Sequence, residues 1–515
     1  MLISTAHKKI VLNLKQPGRV TTVIPSAKEF MYKGSNLVAV PHTLASTRAL
    51  HALGIKAPSP IKHYYSWPGQ YKPFYAQLET AAFLTLNDRA FVLNDMGCGK
   101  TLSALWAFDY LRSLGLAKKM LIVSPLSTLE RTWADEVFRH FSHLNVAVLH
   151  GTKSRRLKML DEDVDIYLIN HDGLETVEKE LIAKTEIDTL LVDEVASFRN
   201  AATKRWKCLN RIAKGRERLW GMTGTPTPNL PTDAWAQCKL ISPERVPQYF
   251  GRFKEQVLKQ VTQFKWMPRE GATDVVYEAM QPSIRFTRDD CVDLPECQYV
   301  NRAVTMTAEQ GAMYKTMAAS LAAEYDTQKI SAVNDAVKIQ KLMQIACGVV
   351  YDTDGADVVI PNDPRIAVIK EIIEESGTKT IVFVPFRGVL RHVATQLGED
   401  YEVACISGET PKGQRDEIFS AFQNPRNKLR VLVAQPAAMS HGLTLTAAST
   451  IAWYAPINSA ETYVQANARI TRPGQKHSQL IVNVGATPLE WLVYKRLKDK
   501  QNMQGLLLDM AHAAA

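Results

Sequence analysis

The segment FVLNDMGCGKTLSALWAF, Phe91 to Phe108, decides how the chain is read. A short apolar run enters Gly97-Cys98-Gly99-Lys100-Thr101, and a helix-period pattern leaves it. Glycines let backbone N–H groups approach phosphate oxygens, and the N-terminus of the next helix adds its positive dipole end. In such a loop Gly97, Cys98 and Gly99 cradle phosphate, Lys100 reaches the β- and γ-phosphates, and the Thr101 hydroxyl holds Mg²⁺. The full phosphate-loop spacing asks for glycine five residues before Gly99; this chain has Asn94 there, so the match is partial.

Downstream, LLVDEVASFRN places Asp193 and Glu194 at the end of the apolar run Leu190–Val192. Ligands of an open α/β sheet meet it at the carboxyl ends of strands. Asp193 is therefore expected to hold Mg²⁺ and Glu194 to position and polarise a water; by itself the pair also suits a helix cap. Next, GMTGTPTPN (Gly221–Asn229) sets Thr223 and Thr225 around Gly224, and Pro226 prevents the strand from continuing. A hydroxyl-bearing turn there suits γ-phosphate sensing, and equally a plain strand-to-helix turn.

The rest of the chain bounds the fold. At 515 residues it is too long for one ordinary core. Short Val/Ile/Leu runs followed by helix-period segments recur at Ala90–Leu93, Met120–Val123, Ile166–Ile169 and Thr189–Val192. They return at Lys379–Val384, Val403–Ser407, Leu429–Ala434, Thr450–Tyr454 and Gln479–Val484. Such alternation marks an α/β fold with parallel sheets. Between the two blocks Ala308–Tyr325 and Ser331–Cys347 read as amphipathic helices, and Asp352–Asp363 as a linker.

Composition excludes several classes. No stretch approaches the ~20 apolar residues of a membrane span. Seven cysteines without a C-x-x-C pair argue against a structural metal and for a reducing interior. The N-terminus lacks an h-region. A cytoplasmic protein with no membrane partner is expected. Net charge is +10, and residues 1–75 carry ten Lys and Arg against one acid, Glu29. Phe30, Tyr32, Tyr64, Tyr65, Trp67, Tyr71, Phe74 and Tyr75 lie among those cations. Cations for phosphates and rings for stacking suit a nucleic-acid surface; a solvated extension whose aromatics pack on the next domain is the other reading.

The motifs, in their order, resemble helicase superfamily 2, and most closely the Swi/Snf-type double-stranded DNA translocases. DMGCGKT resembles that family's first motif, and LIVSPLSTLERTWADE (Leu121–Glu136), YLINHDGL (Tyr167–Leu174), DEVASFRN and MTGTPTPN follow in its order. KPFYAQ, ending in Gln77, is similar to its adenine-reading element. IRFTRDDCVDLPE (Ile284–Glu296) and TAEQGAMYKTM (Thr307–Met317) resemble the connector that sets this branch apart from RNA helicases. ISGETPKGQRDEIFSAFQ (Ile406–Gln423) and Ser440–Ser478 complete the set.

The resemblance implies two RecA-like parallel-sheet lobes with ATP and Mg²⁺ in the cleft and DNA across both. It implies nucleotide contacts at Gln77, Gly442 and Gln465, and DNA contacts at Ser124, Thr128, His171 and Thr225. Arg469 and Arg472, three residues apart in QANARITRPGQ, match the family's arginine fingers; such a finger is worth about 10³–10⁵ in rate. Three departures stand out. Ala196 replaces a frequent His, AQPAAMSHGLTLT keeps only Gly442 and the Leu-x-Leu-Thr tail of its motif, and the insertion between blocks is short.

The expected layout is a basic accessory segment at 1–70, a first lobe at 71–245, a helical insertion and connector at 246–363, and a second lobe at 364–515. A compact, monomeric, phage- or bacterial-like translocase on duplex or forked DNA is expected, with replication, recombination or repair partners. A strand-separating helicase on DNA or RNA, a motor subunit of a restriction complex, and a nucleotide-sensing module without turnover remain as alternatives.

Overall fold

The computed structural model describes residues 1–70, 72–261, 266–287, 290–291, 297–326, 340–351, 356–439, 444–471 and 475–499. The described residues divide into two units, one up to Cys291 and the other from Cys297 onward.

The first unit is built on a seven-stranded parallel sheet. Its order is Ser283–Ile284, Arg89–Val92, Arg218–Met222, Ile187–Asp193, Lys119–Ser124, Ile166–Asn170, Val146–Leu149. The strands are apolar throughout because both faces are covered. Alternate residues feed two separate cores. Phe91, Leu121, Val123, Tyr167, Ile169, Leu190 and Val192 enter one. Ala90, Val92, Met120, Ile122, Ile166, Leu168, Leu191, Trp220 and Met222 enter the other, against the helix Lys100–Ser113.

Residues 1–57 fold as a small subdomain of this unit rather than as a loose basic extension. An antiparallel sheet, in the order Leu2–Ser4, Lys9–Asn13, Ser35–Pro41, Lys28–Tyr32, lays one face on the helices Gly18–Val23 and Leu44–Ala52. Ile10, Leu12, Val20, Ile24, Val38, Val40 and Leu50 form its core. Arg48 ties it to the larger sheet domain, donating to both oxygens of Asp88 at 3.1 and 2.9 Å and to the Thr85 carbonyl at 3.0 Å. The aromatic residues of the N-terminal region divide between the two readings. Tyr65 and Trp67 pack edge-on, Trp67 meets Trp106 at 5.3 Å between ring centres, and the Tyr65 hydroxyl donates to Asp109 at 2.5 Å. Phe30 and Tyr32 stay exposed.

The second unit carries a six-stranded parallel sheet in the order Cys297–Ala303, Gln479–Gly485, Ala448–Trp453, Lys379–Phe383, Val431–Ala434, Val403–Ile406. Residues on alternate sides again fill two cores, Val382, Val431, Val433, Ala452 and Val482 in one, Ile381, Phe383, Leu432, Ile451 and Ile481 in the other. Arg365 and Glu490 form an ion pair at 2.8 Å with both side chains almost wholly buried. Glu490 also accepts from the Ala486 and Thr487 amides at 2.9 and 3.0 Å.

The expected insertion at 246–363 does not stand apart as one block. Ser283–Ile284 pairs with Phe91 and Val92 and so ends the first sheet, whereas Cys297–Ala303 pairs along Gln479–Gly485 and begins the second. Backbone pairing thus assigns the two sides of the connector to different units. The helix read at Ala308–Tyr325 is present as Ala308–Asp326; the second, at Ser331–Cys347, lies outside the described residues up to 339, as do residues 292–296 of the connector and 352–355 of the linker, and the rest of the Asp352–Asp363 linker contains the short strand Asp357–Val359. Among the described residues no helix is long and apolar enough to cross a membrane.

Replacing Arg365 by Met leaves the Glu490 carboxylate buried beside an apolar chain. We expect a loss of about 3–5 kcal/mol in the stability of the second unit. Urea unfolding of the full chain, followed by hydrogen exchange in 479–499, reads this, and Arg365→Met/Glu490→Leu should recover a large part of it.

Candidate nucleotide site

Three neighbouring strands of the first sheet end at one level. In the parallel register Met222 lies opposite Val92 on one side and Asp193 on the other. The segments that follow Val92 and Met222, and the Asp193–Glu194 pair, therefore emerge together at the carboxyl edge of the sheet, where phosphate sites form.

After Val92 the chain turns through Gly97 at φ 92° and Gly99 at φ 70°, and the helix starts at Lys100. Only glycine adopts such angles at little cost. Gly99 is also sterically closed: a Cβ there would sit 2.0 Å from the Gln77 amide nitrogen. Gln77 is thus packed on the phosphate loop, and its Oε1 accepts from the Phe74 amide at 2.9 Å. The Lys100 ammonium donates to the Asn94 and Asp95 carbonyls at 2.8 and 3.1 Å. An ammonium has three N–H donors, so one is left for a phosphate oxygen.

Asn94, where glycine was wanted, is fully buried and acts as a clip. Its amide donates to Thr80 at 2.8 Å, and its carbonyl accepts from the Phe286 amide at 3.0 Å. The neighbouring Arg285 guanidinium, also buried, donates to the Leu93 carbonyl at 2.9 Å and pairs with Asp95 at 2.8 Å. The Cys98 thiol lies 3.4 Å from the Thr287 carbonyl. The start of the connector is therefore bonded directly to the phosphate loop. Sequence reading missed Asn94 and Arg285 as parts of the site; the polar residue at a loop position was seen only as a departure.

Asp193 ends its strand, and Glu194 takes a left-handed φ of 51°. Burial, with Glu194 beside it, pushes the Asp193 carboxyl up to about 7, and the Trp133 indole and Lys100 act in the opposite direction. Trp133, on a π-helical turn at Leu129–Ala134, donates to Asp193 Oδ2 at 3.0 Å. Two adjacent half-buried carboxylates, with the Thr101 hydroxyl in the first turn of the helix after the loop, suit a hard divalent cation that keeps phosphate and water as its other ligands. The Thr223 hydroxyl donates to Glu194 Oε2 at 3.3 Å and accepts from the Thr225 amide at 3.2 Å. The turn read as a γ-phosphate sensor is hydrogen-bonded to the carboxylate expected to polarise water.

The four side chains expected on DNA are placed differently. Ser124, Thr128, His171 and Thr225 are all buried. Thr128 donates to the Pro125 carbonyl at 2.9 Å and lies 3.2 Å from the Ser124 hydroxyl. His171 Nε2 bonds the Asp193 carbonyl at 2.9 Å, so its imidazole supports the acidic strand end.

In the second unit Gln465 lies on the helix Ala460–Asn467, and Arg469 follows the helix end, buried, with its Nε donating to the Gln465 carbonyl at 3.1 Å. Arg469 thus sits in a turn, off the helical face that would align it with a residue three further on. Gly442 and Arg472 lie outside the described residues.

Residues 77–348 match the SNF2-related domain, and residues 364–474 match the helicase conserved C-terminal domain. Protein p41 of Acyrthosiphon pisum secondary endosymbiont phage 1 is 28% identical over 451 residues, covering 82% of this chain and 94% of that protein. The SWI/SNF-related matrix-associated actin-dependent regulator of chromatin subfamily A-like protein 1 of Xenopus tropicalis is 24% identical over 400 residues, or 76% of this chain. The chain spans only 40% of that relative's length. The structure of the Sulfolobus solfataricus SWI2/SNF2 ATPase core in complex with dsDNA aligns with 86% of this chain and 96% of its own, at 22% identity and a TM-score of 0.41.

Replacing Asn94 by Ala removes the acceptor of the Phe286 amide inside the sheet. An unsatisfied buried donor costs about 1–3 kcal/mol, so amide exchange in 283–287 should accelerate by roughly 5- to 150-fold. Mass-spectrometric hydrogen exchange on the full chain measures it.

Proposed function

The chain belongs to the SNF2-related family, and from that premise we propose a motor that couples ATP hydrolysis to movement along duplex DNA. It is an ATP-hydrolysing enzyme of the helicase-like class that acts on nucleic acid. The observation that supports the nucleotide chemistry is the convergence of Lys100, Asp193, Glu194 and Thr223 at the carboxyl edge of one sheet, fixed by the register around Met222.

In this reading the amides of Gly97, Cys98 and Gly99 and the Lys100 ammonium bind the β- and γ-phosphates. Gln77, packed over Gly99, reads the base side. Thr101 and Asp193 would hold Mg²⁺, which when bound neutralises charge on the phosphates. Glu194 orients the attacking water and accepts its proton; Thr223 fixes the carboxylate and relays the occupancy of the γ-phosphate position to the turn at Gly224. Trp133 and His171 hold Asp193 in place from its side chain and its carbonyl. On the family resemblance Arg469 and Arg472 would act as arginine fingers, and Gln465 and Gly442 as further nucleotide contacts. Because Ser124, Thr128, His171 and Thr225 are buried, their segments would serve DNA through backbone groups and exposed neighbours such as Leu126.

Lys100→Ala and Glu194→Gln should each lower DNA-dependent ATP hydrolysis by about 100-fold or more while the protein stays folded. Turnover at the parental rate in either variant would refute the assignment. Trp133→Phe keeps an aromatic ring and loses the hydrogen bond to Asp193. A bond to a charged group is worth ~1.5–3 kcal/mol, so steady-state kcat should drop by about tenfold or more.

A further inference from the structure

The N-terminal subdomain has a second sheet face that the motor does not use. One face is packed on its helices through Ile10, Leu12, Val38 and Val40. The strand register puts Lys28, Phe30 and Tyr32 on the other, beside Ala39, Leu37 and Ser35, with Lys9, Val11 and Asn13 one strand further on. Phe30 is 39% and Tyr32 57% exposed, and Lys9 and Lys28 are exposed too. Exposed rings that stand side by side mark interaction surfaces more than rings scattered singly.

The charge on this face is of one sign. Glu29 is the single carboxylate in the first 75 residues, and the fold turns it away. It pairs in register with buried Val38, and its oxygens accept from Thr21 and Asn36, each at 3.3 Å, on the helix side. Lys33, in the tight turn with Gly34, sets its ammonium over the Tyr32 ring at 5.5 Å. The open face therefore presents two rings flanked by Lys9, Lys28 and Lys33 with no acid among them. Residues two apart on a strand are about 7 Å apart, too far for both rings to meet one base and suited to two neighbouring bases.

We propose that this face is a docking platform for single-stranded nucleic acid, in which Phe30 and Tyr32 stack on unpaired bases and Lys9, Lys28 and Lys33 neutralise the backbone. Paired bases inside a duplex cannot stack on rings of a flat sheet, so the platform selects single strands. It would hold an unpaired strand next to a motor that tracks duplex, as at a junction between the two. Because the platform lies outside the nucleotide site, it stands independently of the hydrolysis reading.

The test is fluorescence anisotropy of the full chain with a labelled oligothymidylate and, separately, a labelled duplex. Phe30→Ala/Tyr32→Ala should weaken oligothymidylate binding by about tenfold or more, with duplex binding and duplex-dependent ATPase at parental levels. Phe30→Trp/Tyr32→Trp should retain it, which separates stacking from folding. Lys9→Gln/Lys28→Gln should flatten the slope of log affinity against log salt by about 1.4 for the single strand. Unchanged affinity in the folded alanine variant would overturn the proposal and leave the face to another partner, such as a protein strand added at the Lys28–Tyr32 edge. Equal losses for single strand and duplex would overturn it as well. Absence of any DNA-dependent ATPase in the parent would sink the motor reading and leave this test untouched.

Discussion

The register of three parallel strands is the constraint on which the site depends. Met222 stands opposite both Val92 and Asp193, and that shared level is what lets a phosphate loop, an acidic pair and a hydroxyl turn meet. A slip by one residue would exchange the two faces of a strand, sending Val92 or Leu191 from one core into the other. Two filled cores on opposite faces therefore hold the chemistry in place more firmly than any bond within the site.

Around this frame the polar groups of the site are held from several directions. Asp193 is reached by Trp133 and, through its carbonyl, by His171. Glu194 is reached by Thr223. The phosphate loop is held by Asn94, by Arg285 through Leu93 and Asp95, and by the Cys98 thiol near Thr287. These last contacts give the connector a physical handle on the loop. Residues 285 and 286 hold the side chains of Asn94 and Asp95, the two residues whose backbone carbonyls accept from the Lys100 ammonium.

Much of this was legible in the sequence because fully buried parallel strands are continuous apolar runs. Each of the nine strands read from such runs exists within a few residues of its expected span. Of the strands that were missed in the two sheets, Val146–Leu149 is a short apolar edge, and the other three lack a plain apolar run. Cys297–Ala303 is a largely exposed edge, Ser283–Ile284 is two residues long, and Arg218–Met222 opens on a charge. The N-terminal sheet was hidden behind its own charge, since strands that bury one face alternate and read weakly beside ten cations. Lys100, Asp193 and Glu194 were expected together because their chemistry demands a fixed order, and the strands that carry them do end at one level. Asn94, Arg285 and Trp133 were not, because their roles depend on neighbours up to 192 residues away in sequence, which no local pattern encodes.

Movement along duplex DNA is the central proposal. A triplex-displacement assay, in which a third strand is removed from intact duplex without separation of the duplex itself, tests it most directly. The account predicts ATP-dependent release of the third strand, with no accompanying separation of a plain duplex. Failure to displace the triplex, together with ATP-dependent strand separation or with stimulation by RNA alone, would contradict it.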